Sequence, residues 1–167
     1  MVESRQALPD AVYGAELLVT AISGSAAVLD VDLLRPGTTV IDDSFPHCFD
    51  TARALTRMRE RQDVLVLGGG LLHIGRTHRE PAEALPAAAA AGYLAQPWIE
   101  DTLASCRTES LLRAALPELP LVHGLVDQET AHSYARAVDR AGVTAAPLHL
   151  LGHVVGADMA ARVPGKR

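Results

Sequence analysis

The sequence contains few aromatic residues and almost no cysteine. Only 4% of the residues are aromatic although 49% are hydrophobic, so the core must consist mainly of Ala, Leu and Val. Such a composition suits helices packed on a parallel sheet better than an aromatic-rich sandwich. The two cysteines, Cys48 and Cys106, are too few for a disulfide framework and fit a reducing compartment.

The signals for several classes of partner are also missing. The formal net charge is −5, and no basic stripe is present, which argues against a nucleic-acid partner. No apolar run reaches the roughly 18 residues of a membrane span. The first residues are polar and contain no signal-peptide core. We therefore expect a cytoplasmic protein without a membrane span.

Three short apolar runs predict buried parallel strands, at residues 15–22, 38–42 and 63–67. Between the last two, a helix is predicted over 51–61 with Asp50 as its N-cap. Its basic residues are interpreted as a solvated outer face: Arg53, Arg57, Arg59 and Arg61. The residues that follow the first and third strands are small. Those at 23–25 form an ordinary turn or leave room for a ligand at the strand end. The glycines at 68–70 permit the close approach of a ligand or of another backbone.

The later part of the chain predicts two helices and one more strand. The first helix covers 98–116 between two prolines, and the second covers 127–140 with Asp127 as its N-cap. An apolar segment at 143–151 is interpreted as a strand, and residues 152–167 as a flexible tail.

Cys106 lies in the helix predicted over 98–116, beside Arg107 and one turn from Glu109. Spacing alone allows two interpretations. Cysteine is among the most buried residue types, so Cys106 can be a small core residue. A thiol near a cation and a helix start can instead be a nucleophile, since the thiolate is the reactive form. The neighbours His47 and Cys48 do not predict a metal site, because no second ligand pair has a zinc-like spacing.

The order of the elements resembles the second half of a doubly wound dinucleotide-binding fold, roughly strands four to six plus C-terminal helices. Residues 1–167 are accordingly interpreted as one Rossmann-like half domain. No Gly-x-Gly-x-x-Gly loop opens a first helix. The strand at 15–21 would then be an open apolar edge, which predicts pairing with a separate dinucleotide-binding subunit or with a second copy of the chain.

Five segments, in the same order, resemble the C-terminal half of the long-chain acyl-(acyl-carrier-protein) reductases. They are Ala-Glu-Leu-Leu-Val-Thr-Ala-Ile-Ser-Gly at 15–24, Leu-Leu-Arg-Pro-Gly-Thr-Thr-Val-Ile-Asp-Asp-Ser-Phe-Pro at 33–46, Val-Leu-Gly-Gly-Gly-Leu-Leu at 66–72, Ala-Ser-Cys-Arg-Thr-Glu-Ser-Leu-Leu at 104–112 and Val-Asp-Arg-Ala-Gly-Val-Thr-Ala-Ala-Pro-Leu at 138–148. The fourth resembles the family motif that holds the acyl-accepting cysteine, which corresponds to Cys106.

The resemblance implies that Cys106 takes an acyl group from an acyl carrier protein or acyl-CoA and that NADPH then releases an aldehyde. Glu109 would orient the site or its water. The positions implied to face the nicotinamide are Thr20, Ser23, Gly24, Gly69 and Gly70. Because the pyrophosphate-binding half is absent, NADPH is expected only with a partner half.

Three hypotheses follow from these observations. The chain is the catalytic half of an acyl-thioester reductase, or a cofactor-independent acyltransferase or thioester hydrolase, or a non-catalytic interaction subunit. The second hypothesis needs a base, for which His47, His73 and His123 are the candidates.

Overall fold

The computed structural model describes residues 8–23, 27–75, 86, 99 and 101–163. They form a mixed α/β structure with these strands: β1 (Leu17–Thr20), β2 (Thr39–Asp42), β3 (Leu65–Gly68), β4 (Leu71–His73), β5 (Thr102–Ala104), β6 (Thr144–Ala145), β7 (His149–Leu150) and β8 (His153–Val154). The helices are α1 (Asp10–Tyr13), a 3-10 turn (Val31–Leu33), α2 (Thr51–Glu60), α3 (Ser105–Ala115), α4 (Gln128–Arg140) and α5 (Ala157–Arg162).

The chain divides into two compact units, whereas the sequence was interpreted as one half domain. Unit 1 comprises residues 1–69 and 148–167, and unit 2 comprises residues 70–147. No helix within the described ranges is both long and apolar enough to cross a membrane.

Unit 1 contains a parallel sheet with the strand order β1-β2-β3. The three predicted strands are confirmed, although each is shorter than its apolar run. Thr20, Asp42 and Gly68 are partners in register, so they form the last row of the sheet at its carboxyl end. In this row the hydroxyl of Thr20 lies beside the carboxylate of Asp42, and the neighbouring position on the other side of Asp42 is Gly68, which has no side chain.

One face of this sheet is the core of unit 1. Val40 and Val66 are fully buried in it, and Met58 of α2 packs with them. Helix α2 begins as predicted, because the Asp50 carboxylate accepts a hydrogen bond from the Arg53 amide at 3.0 Å. On the other face, β1 leaves Leu17 and Val19 exposed by 59% and 69%.

The interpretation of Arg57 as part of a solvated helix face is wrong. Its residue exposure is only 2%, and its guanidinium donates two hydrogen bonds of 2.9 Å to the Asp63 carboxylate. It also donates to the carbonyl oxygens of Val31 and Leu34. Arg57 therefore ties α2 to the segment before β2.

Part of the segment at 152–167, which is interpreted as a flexible tail, is helical. Residues 157–162 form α5, and Met159, Ala160 and Val163 pack against the core of unit 1. These apolar residues give the segment a face to bury, which a purely polar tail would lack.

Unit 2 is built around β4, which pairs antiparallel with both β5 and β6. The helix predicted over 98–116 begins only at Ser105, because residues 102–104 pair with β4 as a strand instead. Helix α4 confirms its prediction, with Asp127 accepting a hydrogen bond from the Thr130 amide at 2.7 Å. The strand predicted over 143–151 is two short strands, β6 and β7, which belong to different units.

Candidate functional site

The densest polar cluster of unit 1 surrounds the Asp42 carboxylate. Asp42 is fully buried at the end of β2. Its Oδ1 accepts hydrogen bonds from the Thr20 hydroxyl at 2.6 Å and the Ser44 amide at 3.1 Å. Its Oδ2 contacts His47 Nδ1 at 2.8 Å and accepts from the Cys48 amide at 3.2 Å. The loop after β2 thus folds back onto the carboxylate that ends the strand.

The charge state of Asp42 follows from these contacts. Burial raises the pKa of its carboxyl group, but hydrogen bonds from Ser44, Thr20 and His47 together outweigh burial and lower the pKa below its ordinary value. The Cys48 thiol is 3.6 Å from Oδ1. Burial, with the charge of Asp42, raises the pKa of Cys48, so this cysteine stays a thiol.

His47 is held in a defined tautomer and ring plane. An ionised carboxylate only accepts hydrogen bonds, so Nδ1 carries the proton and Nε2 is the acceptor of the neutral ring. The ring stacks on Phe49 with centroids 5.3 Å apart and planes within 10°. The His47 side chain remains 12% exposed. An oriented imidazole with some solvent contact can transfer protons.

Gly68 lies under two imidazole rings. A Cβ atom at this position would be 3.3 Å from His47 Cε1 and 3.2 Å from His149 Nε2. His149 belongs to β7 and is 6% exposed. The glycine lets both rings approach the end of β3, so its role here is a close approach between parts of the chain itself.

Cys106 lies in unit 2, in the first turn of α3, and its thiol is free and exposed. The interpretation of Cys106 as a buried core residue is therefore wrong. The N-cap position is Ala104, and no side chain caps the helix. The Ser105 amide donates instead to the Gly70 carbonyl at 2.7 Å. The first turn of this 11-residue helix is the positive end of its dipole.

The buried face of α3 is carried by Thr108 and Leu112, not by Cys106. The Thr108 hydroxyl is buried and has no hydrogen-bond partner among the residues that the structure describes. The spacing in the sequence predicts a buried stripe through positions 99, 103, 106 and 110, widened by 111, 112, 115 and 116. Leu103 and Leu112 of this set are buried, whereas Cys106 and Ser110 are exposed.

The structure does not link the other candidates of unit 2 to Cys106. Glu109 is half-buried one turn further along α3, His123 is exposed, and His73 pairs with Thr102 at the far end of β4. No hydrogen bond joins Cys106 to any of the three in the part of the chain that the structure describes.

The structure does not bring the candidates for cofactor binding together at one place. Thr20 joins the Asp42 cluster, and the Gly69 amide donates to the Asp42 carbonyl at 2.7 Å. Ser23 is exposed beyond β1, Gly24 lies outside the described residues, and Gly70 belongs to unit 2 with φ at 71°. A Cβ atom on Gly69 would be 3.4 Å from Asp43, so the chain itself lies against this glycine.

Sequence reasoning identified Thr20 and His47 but missed Asp42, Ser44 and His149. One signal was available, since Asp42 ends a β-branched run and is followed five residues later by His47. His149 carried no such signal, because only the folding of β7 against β3 brings it to Gly68.

No protein-family model matches the chain, and no curated protein or solved structure is detectably similar to it. Among the described residues, no group of three or more His, Cys, Asp or Glu side chains is arranged to hold a metal ion.

Proposed function

We propose that the chain processes acyl thioesters, with Cys106 as the acyl acceptor. The observation that carries the proposal is the exposed thiol of Cys106 in the first turn of α3. The thiolate attacks the thioester carbonyl, the bond to the carrier sulfur breaks, and the carrier leaves as its thiol after taking up a proton. The acyl group then remains on Cys106. The motif resemblance at 104–112 supports the same assignment.

We further propose that the donor is acyl carrier protein or acyl-CoA and that the chain is half of a reductase. The parallel sheet of unit 1 would correspond to strands four to six of a doubly wound fold. NADPH would be held by the missing half and would supply hydride when bound. The glycines at 68 and 69 lie against the chain's own side chains, so we assign them no part in holding the nucleotide. Both cysteines are free, which fits a cytoplasmic location.

Intact-mass measurement after incubation with acyl-CoA and acyl-carrier-protein thioesters tests the acyl acceptor. We expect one acyl adduct on the parent chain and on Cys48→Ala, and none on Cys106→Ala. Cys48 is the matched control because it is the other free thiol but is buried, with a raised pKa. An adduct that survives in Cys106→Ala, or a parent chain that acquires none, would refute the assignment.

The fate of the adduct separates the alternatives. An adduct that persists until NADPH and a partner half are added indicates the reductase, whereas one that hydrolyses or transfers unaided indicates a thioester hydrolase or acyltransferase. No adduct under any condition would favour an interaction subunit.

The exposed edge of β1 supports the proposal of a partner. Leu17 and Val19 are exposed by 59% and 69% on an edge strand of the unit 1 sheet. Unpaired edges of this kind add strands from another chain. The partner would be the dinucleotide-binding half or a second copy.

Light scattering at micromolar concentration tests self-pairing. We expect a species heavier than the 17.7 kDa chain, which Val19→Lys converts to monomer because a charge on the edge opposes pairing. Leu125→Lys is the control, since Leu125 is fully exposed and belongs to unit 2 and not to the unit that contains this sheet. A monodisperse parent monomer counts against pairing through this edge.

A further inference from the structure

The Asp42–His47 pair lies where α/β sheets bind their ligands. Thr20, Asp42 and Gly68 form the last row of the parallel sheet, and ligands of open α/β sheets occupy the crevice beyond the carboxyl ends of the strands. Acyl transfer to Cys106 makes no use of this cluster, which belongs to unit 1.

We propose that unit 1 contains a second reactive centre, in which His47, oriented by Asp42, acts as a general base in the hydrolysis of acyl esters and thioesters. The choice of an acyl substrate rests on the proposed function, but the chemistry does not involve Cys106. The geometry of the imidazole carries the inference.

The step is complete with water alone. His47 Nε2 takes a proton from water while the water oxygen bonds to the acyl carbon. The tetrahedral adduct then collapses, the bond to the leaving oxygen or sulfur breaks, and the leaving group takes the proton from Nε2. The products are a carboxylic acid and an alcohol or thiol, and His47 returns to its neutral form.

Three contacts prepare His47 for this role. The 2.8 Å contact of Nδ1 with Asp42 Oδ2 leaves Nε2 as the acceptor. The stack on Phe49 fixes the ring plane. The side chain is 12% exposed, so the ring is not fully closed off from solvent. A base whose other nitrogen is held by a carboxylate is a recurrent arrangement for proton transfer.

A carboxylate lies next to the ring on which positive charge forms during the step. Asp42 is ionised, because hydrogen bonds outweigh burial and lower its pKa. Cys48, a buried thiol with a raised pKa, and His149 across Gly68 also face the pair. Asp42 therefore supplies the negative charge next to the ring, and it acts as a positioning residue.

Hydrolysis of p-nitrophenyl acetate tests the proposal, with full-length Cys106→Ala as the reference so that acylation of the exposed thiol does not contribute. We expect turnover above buffer that rises with pH, as general-base catalysis requires, and that slows in D2O. Adding His47→Gln is expected to lower kcat/KM by roughly 100-fold, the usual size of a general-base contribution. His153→Gln is the matched control, since His153 is an exposed histidine of the same unit.

Asp42→Asn supplies an independent readout. Loss of the carboxylate should shift the pH at which the rate rises, with circular dichroism confirming the fold, and His47→Gln carries the test if this variant does not fold. Turnover no faster than buffer in the reference, or a rate unchanged by His47→Gln, would overturn the proposal. Because Cys106 is absent throughout, neither outcome bears on acyl transfer to Cys106, which intact mass measures separately.

Discussion

Replacing Arg57 by alanine is expected to lower the free energy of unfolding of unit 1 by about 3–5 kcal/mol, the cost of removing one member of a buried ion pair. The substitution leaves Asp63 without its two bonds from Arg57 and leaves two carbonyl oxygens without their donor. The hydrogen bond from Arg57 is the main cause of the lowered pKa of Asp63. Urea denaturation followed by circular dichroism at neutral pH measures the loss.

Two variants show that burial, and not charge alone, causes this loss. Arg53→Ala removes a cation of the same helix that is 54% exposed and paired with Asp30 and Asp32, so we expect a cost below about 1 kcal/mol. Arg57→Lys keeps the charge but not the bidentate geometry and should lie between the two. Equal, small effects for Arg53→Ala and Arg57→Ala would show that Arg57 is not buried in solution.

Arg57 also shows where sequence reasoning ends. The helix itself was predictable, because its N-cap and its periodic residues are neighbours along the chain. The burial of Arg57 depends on carbonyl groups at Val31 and Leu34, 26 and 23 residues away. A rule based on spacing within the helix predicts that an arginine is solvated. It contains no information about carbonyl acceptors that a distant segment supplies.

The start of the Cys106 helix was mispredicted for a related reason. Residues 102–104 have a pattern compatible with helix, but pairing with β4 holds them as a strand. The later start places Cys106 in the first turn of α3 with an exposed thiol, so of the two interpretations that the spacing allows, the buried core residue is excluded. The motif at 104–112 drew attention to Cys106. The environment of Cys106 depends on the pairing of residues 102–104 with β4, which the motif does not contain.

The Asp42 cluster was only half predictable. Strand ends identified Thr20, and the His-Cys pair drew attention to His47. What unites them is the turn of residues 43–48, whose amides at Ser44 and Cys48 point at one carboxylate. The conformation of this turn depends on its hydrogen bonds to the Asp42 carboxylate. A periodic sequence pattern does not predict such a conformation.

Replacing Asp42 by alanine is the second substitution with a large expected effect, a loss of about 3 kcal/mol in the free energy of unfolding. The variant leaves the Thr20 hydroxyl, the Ser44 amide and the Cys48 amide without their acceptor. An unmade hydrogen bond of a buried group costs about 1–3 kcal/mol, and relaxation recovers part of the total. Urea denaturation at neutral pH gives the value, and Asp43→Ala, at the exposed neighbouring carboxylate, should cost far less.

The pH dependence of the free energy of unfolding distinguishes the contribution of the Asp42 charge from the contribution of its side-chain packing. Because the pKa of Asp42 is lowered in the folded chain, its stabilisation is complete above the unfolded value of about 3.9 and is lost as the pH falls through the lower folded value. Asp42→Asn lacks this contribution at every pH, so the stability difference from the parent should be largest near neutrality and shrink in acid. Asp63, whose pKa is also lowered, is common to both chains and cancels. A difference that stays constant as the pH falls through the acid range would mean that the carboxylate acts through packing and not through its charge.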